Sequence, residues 1–169
     1  MLIALTGFMG CGKTTVGRGL AEALGCPFVD LDQEIVLKAG RDIPTIFAQD
    51  GEAGFRRLEK LALERMVARY AESTAVLSLG GGTVTIPGAV QLLQEKTLCI
   101  YLKASLETLL GRLEGQTAGR PLAAAQDRER LSALLDARLA LYESAAHVVL
   151  DTDPATPDQL IDEIIISCL

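Results

Sequence analysis

Apolar residues in this chain fall into short continuous runs, separated by stretches where they recur every three or four positions. The runs are LIALT (2–6), PFVDL (27–31), AVLSL (75–79), TLCIYL (97–102) and HVVLD (147–151). They lack clean alternation, which predicts strands covered on both faces. Between them, Val16, Leu20, Ala23 and Leu24 share one predicted helical face, and Phe55, Leu58, Ala62 and Met66 share another. Strands alternating with helices predict an α/β domain with a parallel sheet between helices. There is no internal repeat. The only long loop-like stretch runs from 114 to 126 and ends in the low-complexity LAAAQ (122–126). Loops of that length in a compact domain are often functional lids.

Length and charge narrow the partners. A chain of 169 residues predicts a single domain, 1–169, with enough core to bury roughly 70% of its unfolded surface. Sixteen Lys and Arg against 22 Asp and Glu leave a formal charge of −6, which argues against nucleic acid as the partner. Any anionic ligand must therefore be met by cations gathered locally. The cysteines at 11, 26, 99 and 168 form no Cys-x-x-Cys pair, so neither a zinc site nor a dithiol is predicted. Their scatter suits a reducing compartment. With no signal peptide pattern and no apolar run near ~18 residues, the expectation is a cytoplasmic protein without a membrane partner.

The first chemical signal is ALTGFMGCGKTTVGRGL (4–20), which contains Gly7-x-x-x-x-Gly12-Lys13-Thr14. This phosphate-binding pattern follows a predicted strand and opens a predicted helix, the context that supports it. Glycines let the backbone curl so that successive N–H groups face phosphate oxygens, and the helix N-terminus adds partial positive charge. Lys13 would reach the β- and γ-phosphates and Thr14 would ligate Mg²⁺. Cys11 reads as a small loop filler. The loop does not say where the phosphoryl group goes. A GTPase would need an Asn in its base-reading motif, and the chain contains no Asn. A motor ATPase would want Glu after the strand-end Asp151, where Thr152 stands.

Four further clusters carry candidate chemistry. Asp30 and Asp32, in DLD at the end of the second predicted strand, are two apart and so face the same side of a strand. One could order Mg²⁺ through water while the other accepts a hydroxyl proton; alternatively Asp32 only caps the next helix. In GEAGFRRLE (51–59), Glu52 and Glu59 both share a helical face with Arg56, so a carboxylate can orient that arginine for two-pronged capture of an anion. An ordinary solvated ion-pair face is the alternative. Gly80, Gly81 and Gly82 follow the third predicted strand, where backbone must approach something closely, a ligand or a tight turn. Arg120 in GRPL and Arg138 in LSALLDARLALYE are bland in isolation. His147, the single histidine, stands at a strand start and reads as structural.

Taken together these motifs resemble the shikimate kinases over nearly the whole chain. The resemblance lies in the phosphate loop, DLD, IFAQDGEAGFRRLE, the triple glycine, RPL in the late loop, and Arg138 before LYE. It implies the nucleoside monophosphate kinase-like P-loop fold. That fold is three layers, a five-stranded parallel sheet of order 2-3-1-4-5 flanked by helices, with a mobile lid at roughly 112–126 and an acceptor region at roughly 32–60. It implies transfer of the γ-phosphoryl of ATP to the 3-hydroxyl of shikimate, with Mg²⁺ as cofactor, by a monomer in aromatic amino-acid biosynthesis. The implied nucleotide set is Gly10, Cys11, Gly12, Lys13, Thr14, Thr15, Arg112 and Arg120, with Arg112 packing on adenine and Arg120 arriving from the lid. Asp32 would hold the acceptor hydroxyls as base, Arg56 and Arg138 would grip its carboxylate, and Gly80–Gly82 would close the pocket. Glu59 would orient Arg56, and Asp30 would order the metal's water shell beside Thr14. Two departures stand out. The lid has no basic residue between Arg112 and Arg120, and RPLA replaces the family's usual RPLL.

Two other readings share these residues. A kinase of another small hydroxy acid, such as a sugar acid, would use the same two-arginine chemistry. A nucleotide-binding module without turnover would keep the loop, but intact Lys13, Thr14, Asp32 and Arg120 argue against such decay.

Overall fold

The computed structural model describes residues 1–116 and 125–169. The central strand β1, Leu2–Thr6, is buried at every position. It pairs in parallel with β3, Ala75–Ser78, on one side and β4, Leu98–Lys103, on the other. Ala4 thus lies between Leu77 and Cys99. β2, Phe28–Asp30, and β5, Val148–Asp151, complete a five-stranded parallel sheet of order β2-β3-β1-β4-β5. This is the order implied by the family resemblance. All strands end at one edge. There the connection after β1 runs toward β2 while the connection after β3 runs back past β1 to β4. Adjacent strands whose connections part in this way open a crevice at their carboxyl ends.

The helices are α1 (Lys13–Leu24), α2 (Leu31–Ala39), α3 (Ile43–Arg69), α4 (Ala89–Lys96), α5 (Leu106–Gln116), α6 (Ala125–Ala145) and α7 (Pro157–Cys168). A 3₁₀ turn covers Thr83–Thr85. α1 buries Val16, Gly17, Leu20 and Ala21. The expected Ala23 is exposed, because the stripe that starts at Lys13 drifts through Gly17 and Ala21 and leaves Ala23 off the core side. Gly17 is needed there, since a Cβ would meet the Phe28 ring at 2.6 Å. The expected face of α3 holds, with Phe55, Ala62 and Met66 buried and Leu58 packed against the core.

Two local features depart from the sequence reading, and both shape the site. The second strand stops at Asp30 rather than Leu31. The Asp30 carboxylate accepts from the N–H groups of Asp32 (2.9 Å) and Gln33 (3.3 Å), which starts α2 at Leu31. Asp32 therefore sits in the first helical turn, not on the strand. The argument that the two aspartates face one side of a strand is corrected, and the cap is Asp30, not Asp32. The second feature is a break in α3 at Gly51, whose φ of 70° and ψ of −177° are not helical. The break brings Phe47 and Phe55 together across it, ring centroids 4.7 Å apart. Arg41 holds the turn before the break through Gln49 and Asp50, each at 2.8 Å.

His147 is a clip between elements. Its Nδ1 accepts from the Cys99 N–H at 3.0 Å, so the proton lies on Nε2, which donates to the Gln94 carbonyl at 3.0 Å. All four cysteines are unpaired, and burial pushes the Cys99 thiol up to about 12. Among the described residues no helix is long and apolar enough to cross a membrane.

Candidate active site

The crevice at the strand ends holds two clefts, on the expected nucleotide and acceptor sides of the loop between β1 and α1. Gly10 and Gly12 take positive φ, 78° and 95°, which lets the loop wrap back on itself. Lys13 follows, nine-tenths buried. Its Nζ donates to the carbonyls of Gly7 (2.7 Å) and Phe8 (3.0 Å) and lies 3.6 Å from the Cys11 sulfur. The ammonium thus sits inside the loop, held by the loop's own backbone. Thr14 and Thr15 are exposed at the open start of α1, which has no side-chain cap. Uncapped N–H groups at a helix start favour an anion.

Arg112, on α5, reaches across the chain and donates from Nη1 to the Gly10 carbonyl at 3.2 Å. Together with Gly12, Thr15, Thr152, Pro157 and Leu160 it lines a cleft on the outer side of the loop. The Thr152 hydroxyl and N–H both donate to the Lys103 carbonyl, which fixes the far wall of this cleft. Arg120 and most of the expected lid lie outside the described residues.

On the expected acceptor side is a cleft of about 250 Å³ whose polar walls are Asp32, Arg56, Glu59, Gly80–Gly82 and Arg138. Its apolar walls include Met9, Ile43, Phe47 and Phe55. Arg56 donates from Nη1 to Glu59 at 2.6 Å and lies 3.7 Å from Glu52 through Nη2. Its Nε is buried without a hydrogen-bond partner among the described residues. Glu59 is fully buried, and its second oxygen accepts from the Thr83 hydroxyl at 2.9 Å. A buried carboxylate with both oxygens engaged is a rigid anchor for an arginine.

The glycine turn is shaped by this pair. A Cβ at Gly82 would stand 2.4 Å from Arg56 Nη2, and one at Gly80 would stand 3.0 Å from Glu59 and 3.2 Å from Asp32. The close approach expected at the triple glycine is made in part by the chain's own side chains, which lie against bare backbone. Asp32 is drawn into the same cluster. Burial raises its carboxyl above the ordinary range, and the neighbouring Asp30 and Glu59 raise it further, against the pull of Lys13 and Arg56. Perturbation of this kind in a cleft marks a candidate acid or base.

Arg138 comes from α6, with its guanidinium 6.0 Å from the centroid of Phe8 and near the backbone of Gly81. One turn on, Tyr142 is fully buried, stacks on Tyr101 and donates to the Gly81 carbonyl. Thr83, Phe8 and Tyr142 were not singled out from the sequence. The only sequence signals for them were adjacency to the triple glycine, membership of the phosphate loop, and the i, i+4 spacing of Tyr142 from Arg138. The structure brings Asp32, Arg56, Glu59, Gly80–Gly82 and Arg138 to one cleft. Asp30 is a helix cap at its edge, with one oxygen committed to that bond.

Known proteins match this arrangement in sequence and in shape. The family model of shikimate kinase matches residues 9–169. A shikimate kinase from Enterococcus faecalis is 41% identical over 164 residues, covering 96% of this chain and 95% of the relative. One from Thermus thermophilus is 40% identical over 164 residues, covering 96% and 87%. A solved structure of shikimate kinase from Acinetobacter baumannii in complex with shikimate superposes with a TM-score of 0.86 at 36% identity, covering 97% of this chain and 90% of that one. With a family model spanning nearly the whole chain, relatives above 40% identity and a sheet of the implied order, this chain belongs to the shikimate kinase family.

Proposed function

We propose that the chain transfers the γ-phosphoryl group of ATP to the 3-hydroxyl of shikimate, giving shikimate 3-phosphate and ADP. The observation that carries this is one cleft holding a buried Arg56–Glu59 pair, a second arginine and an aspartate of raised pKa, one loop away from a phosphate-binding lysine. Two arginines suit a carboxylate, and the buried Nε of Arg56 is a donor without an acceptor among the described residues. The Phe47, Phe55 and Met9 side chains offer an apolar wall to a carbon ring. Shikimate has both parts, a carboxylate and a hydroxylated ring.

In this reading Asp32, when ionised, accepts the proton of the acceptor hydroxyl as its oxygen forms the new bond to the γ-phosphorus. The bond from that phosphorus to the β–γ bridging oxygen breaks, and ADP leaves with the electron pair. Lys13 and the loop N–H groups hold the phosphates, and Arg112 closes the nucleotide cleft. Arg120 is proposed to meet the transferring group. The donor set fits Mg²⁺, which takes few protein ligands and completes its shell with phosphate oxygens and water. Thr14 would hold it directly and the remaining oxygen of Asp30 through water. The ion would neutralise phosphate charge. The described walls of both clefts come from one chain, in keeping with the monomer the resemblance implies, and four unpaired cysteines support the cytoplasm.

The test is ADP release coupled to a spectroscopic readout, with ATP and a panel of hydroxy acids. Turnover should require shikimate. A sugar acid with higher kcat/KM than shikimate would overturn the reading, as would ATP consumption indifferent to any acceptor.

A further inference from the structure

We infer that Tyr142 is a positioning residue for the acceptor carboxylate, its hydroxyl holding the backbone of the glycine turn against which Arg138 and Arg56 lie. The inference rests on the proposed acceptor. Tyr142 is fully buried, and its ring lies against Tyr101 of β4, centroids 5.1 Å apart and planes inclined by 29°. A ring held in that way has one place for its oxygen. The oxygen donates to the Gly81 carbonyl, sixty-one residues away in sequence. Burial pushes the phenol up to about 12, so it remains a donor throughout the neutral range. Arg138 stands one helical turn before it on α6, and its guanidinium lies against the same glycine, Gly81.

As a donor the oxygen fixes the Gly81 carbonyl. Because the peptide group is planar and trans, that also fixes the direction of the Gly82 N–H, on the residue against which Arg56 lies. The long Arg138 side chain lies against Gly81 itself, its Nη1 3.5 Å from where a Cβ of that residue would be and its guanidinium 6.0 Å from the centroid of Phe8. One atom thus sets the relation of both arginines to the same turn. A packing role alone would need the ring and not the oxygen.

Tyr142→Phe separates the two. The ring, its stacking and its burial stay, and only the oxygen goes. The KM for shikimate should rise roughly tenfold, the scale of one hydrogen bond. The KM for ATP and kcat should stay near wild type, and the melting temperature should fall by only a few degrees, for the donor lost at the Gly81 carbonyl. Binding of an analogue in which the carboxylate is reduced to a primary alcohol should be equally weak to both proteins. In an Arg138→Ala background, adding Tyr142→Phe should raise the shikimate KM by less than it does in the wild type. A melting temperature that falls while the shikimate KM stays put would overturn the inference, as would equal losses on the alcohol analogue or additive effects with Arg138→Ala. If Arg138→Ala raises the shikimate KM and Tyr142→Phe does not, the inference alone fails. If Arg138→Ala leaves the KM unchanged, the acceptor reading fails and the inference with it.

Discussion

Gly82→Ala isolates how tightly the glycine turn and Arg56 are fitted. The backbone at Gly82 has φ −107° and ψ 4°, which alanine adopts without strain. By itself the change should stabilise the protein by about 0.4–1 kcal/mol through the unfolded chain. What it meets is Arg56: the new Cβ would lie 2.4 Å from Nη2, 2.7 Å from Nη1 and 2.8 Å from Cζ, about 1 Å inside ordinary contact. The end of a free arginine would simply swing away. This one is held at 2.6 Å by a fully buried Glu59, whose other oxygen is held by Thr83. Moving it weakens a hydrogen bond between charged groups, at about 1.5–3 kcal/mol. The two effects together predict a net loss of about 1–2 kcal/mol, or a fall of roughly 2–8 °C in melting temperature for a domain of this size. The acceptor KM should suffer more, because a displacement near 1 Å at a positioning group costs on the order of 10²-fold. ATP binding should be untouched. Steady-state kinetics with shikimate varied at saturating ATP, beside a thermal melt, reads both. Two comparisons sharpen it. Gly88→Ala, at φ 85° with no atom within 4 Å of the new Cβ, should lose about 1–2 kcal/mol and leave KM alone. Gly82→Ala added to Arg56→Ala should do nothing more to KM. A Gly82→Ala enzyme with wild-type shikimate KM would refute the reasoning, since Arg56 could not then lie against the turn when the acceptor binds.

Three further outcomes follow from the same cluster. Asp32→Asn should lower kcat by about 10²–10⁴-fold, as for a lost general base. It should also raise the melting temperature at neutral pH. The Asp32 carboxyl has a raised pKa in the fold, so the native state holds its proton more tightly than the unfolded chain. Stability is therefore lost as pH rises from the ordinary carboxylate range through the folded pKa, and Asn removes that loss. For the same reason the acid limb of the wild-type kcat/KM profile should lie above the ordinary carboxylate range. Thr83→Ala should leave one oxygen of buried Glu59 unpaired, lower stability by about 1–3 kcal/mol and raise the shikimate KM, while Thr83→Ser restores both. Lys13→Met should abolish ADP release without unfolding the protein, as judged by circular dichroism.

Much of the fold was legible because local pattern and tertiary role agree. β1 was read to the residue, since a fully buried strand is a continuous apolar run. β3 and β5 were each read one residue too long at one end, and β4 was read one residue too early. β2 was misjudged where a polar side chain competes with the ladder: Asp30 turns the chain into α2, so Leu31, apolar and apparently part of the strand, is the first helical residue. The pairing of Arg56 with Glu59 was legible from i, i+3 spacing. The contribution of Thr83 and Tyr142 was not, because their partners lie 24 and 61 residues away and hydroxyls carry no periodic signal. The resemblance implied Arg112 as a residue packing on adenine; its hydrogen bond to the loop carbonyl of Gly10, 102 residues away, had no signal in the sequence.

The strand order also governs how the chain is made. β1 emerges from the ribosome early, but its neighbours are β3, complete at residue 78, and β4, complete at residue 103. At about 5–20 residues per second, the second neighbour arrives roughly 5–20 s after β1 itself. Until β3 is made both edges of these five buried positions are open, and one edge stays open until β4 arrives, an arrangement prone to pair with another nascent copy. The strand that carries the phosphate loop thus waits on two later strands, which gives holdase chaperones a long opportunity on a segment the active site depends on.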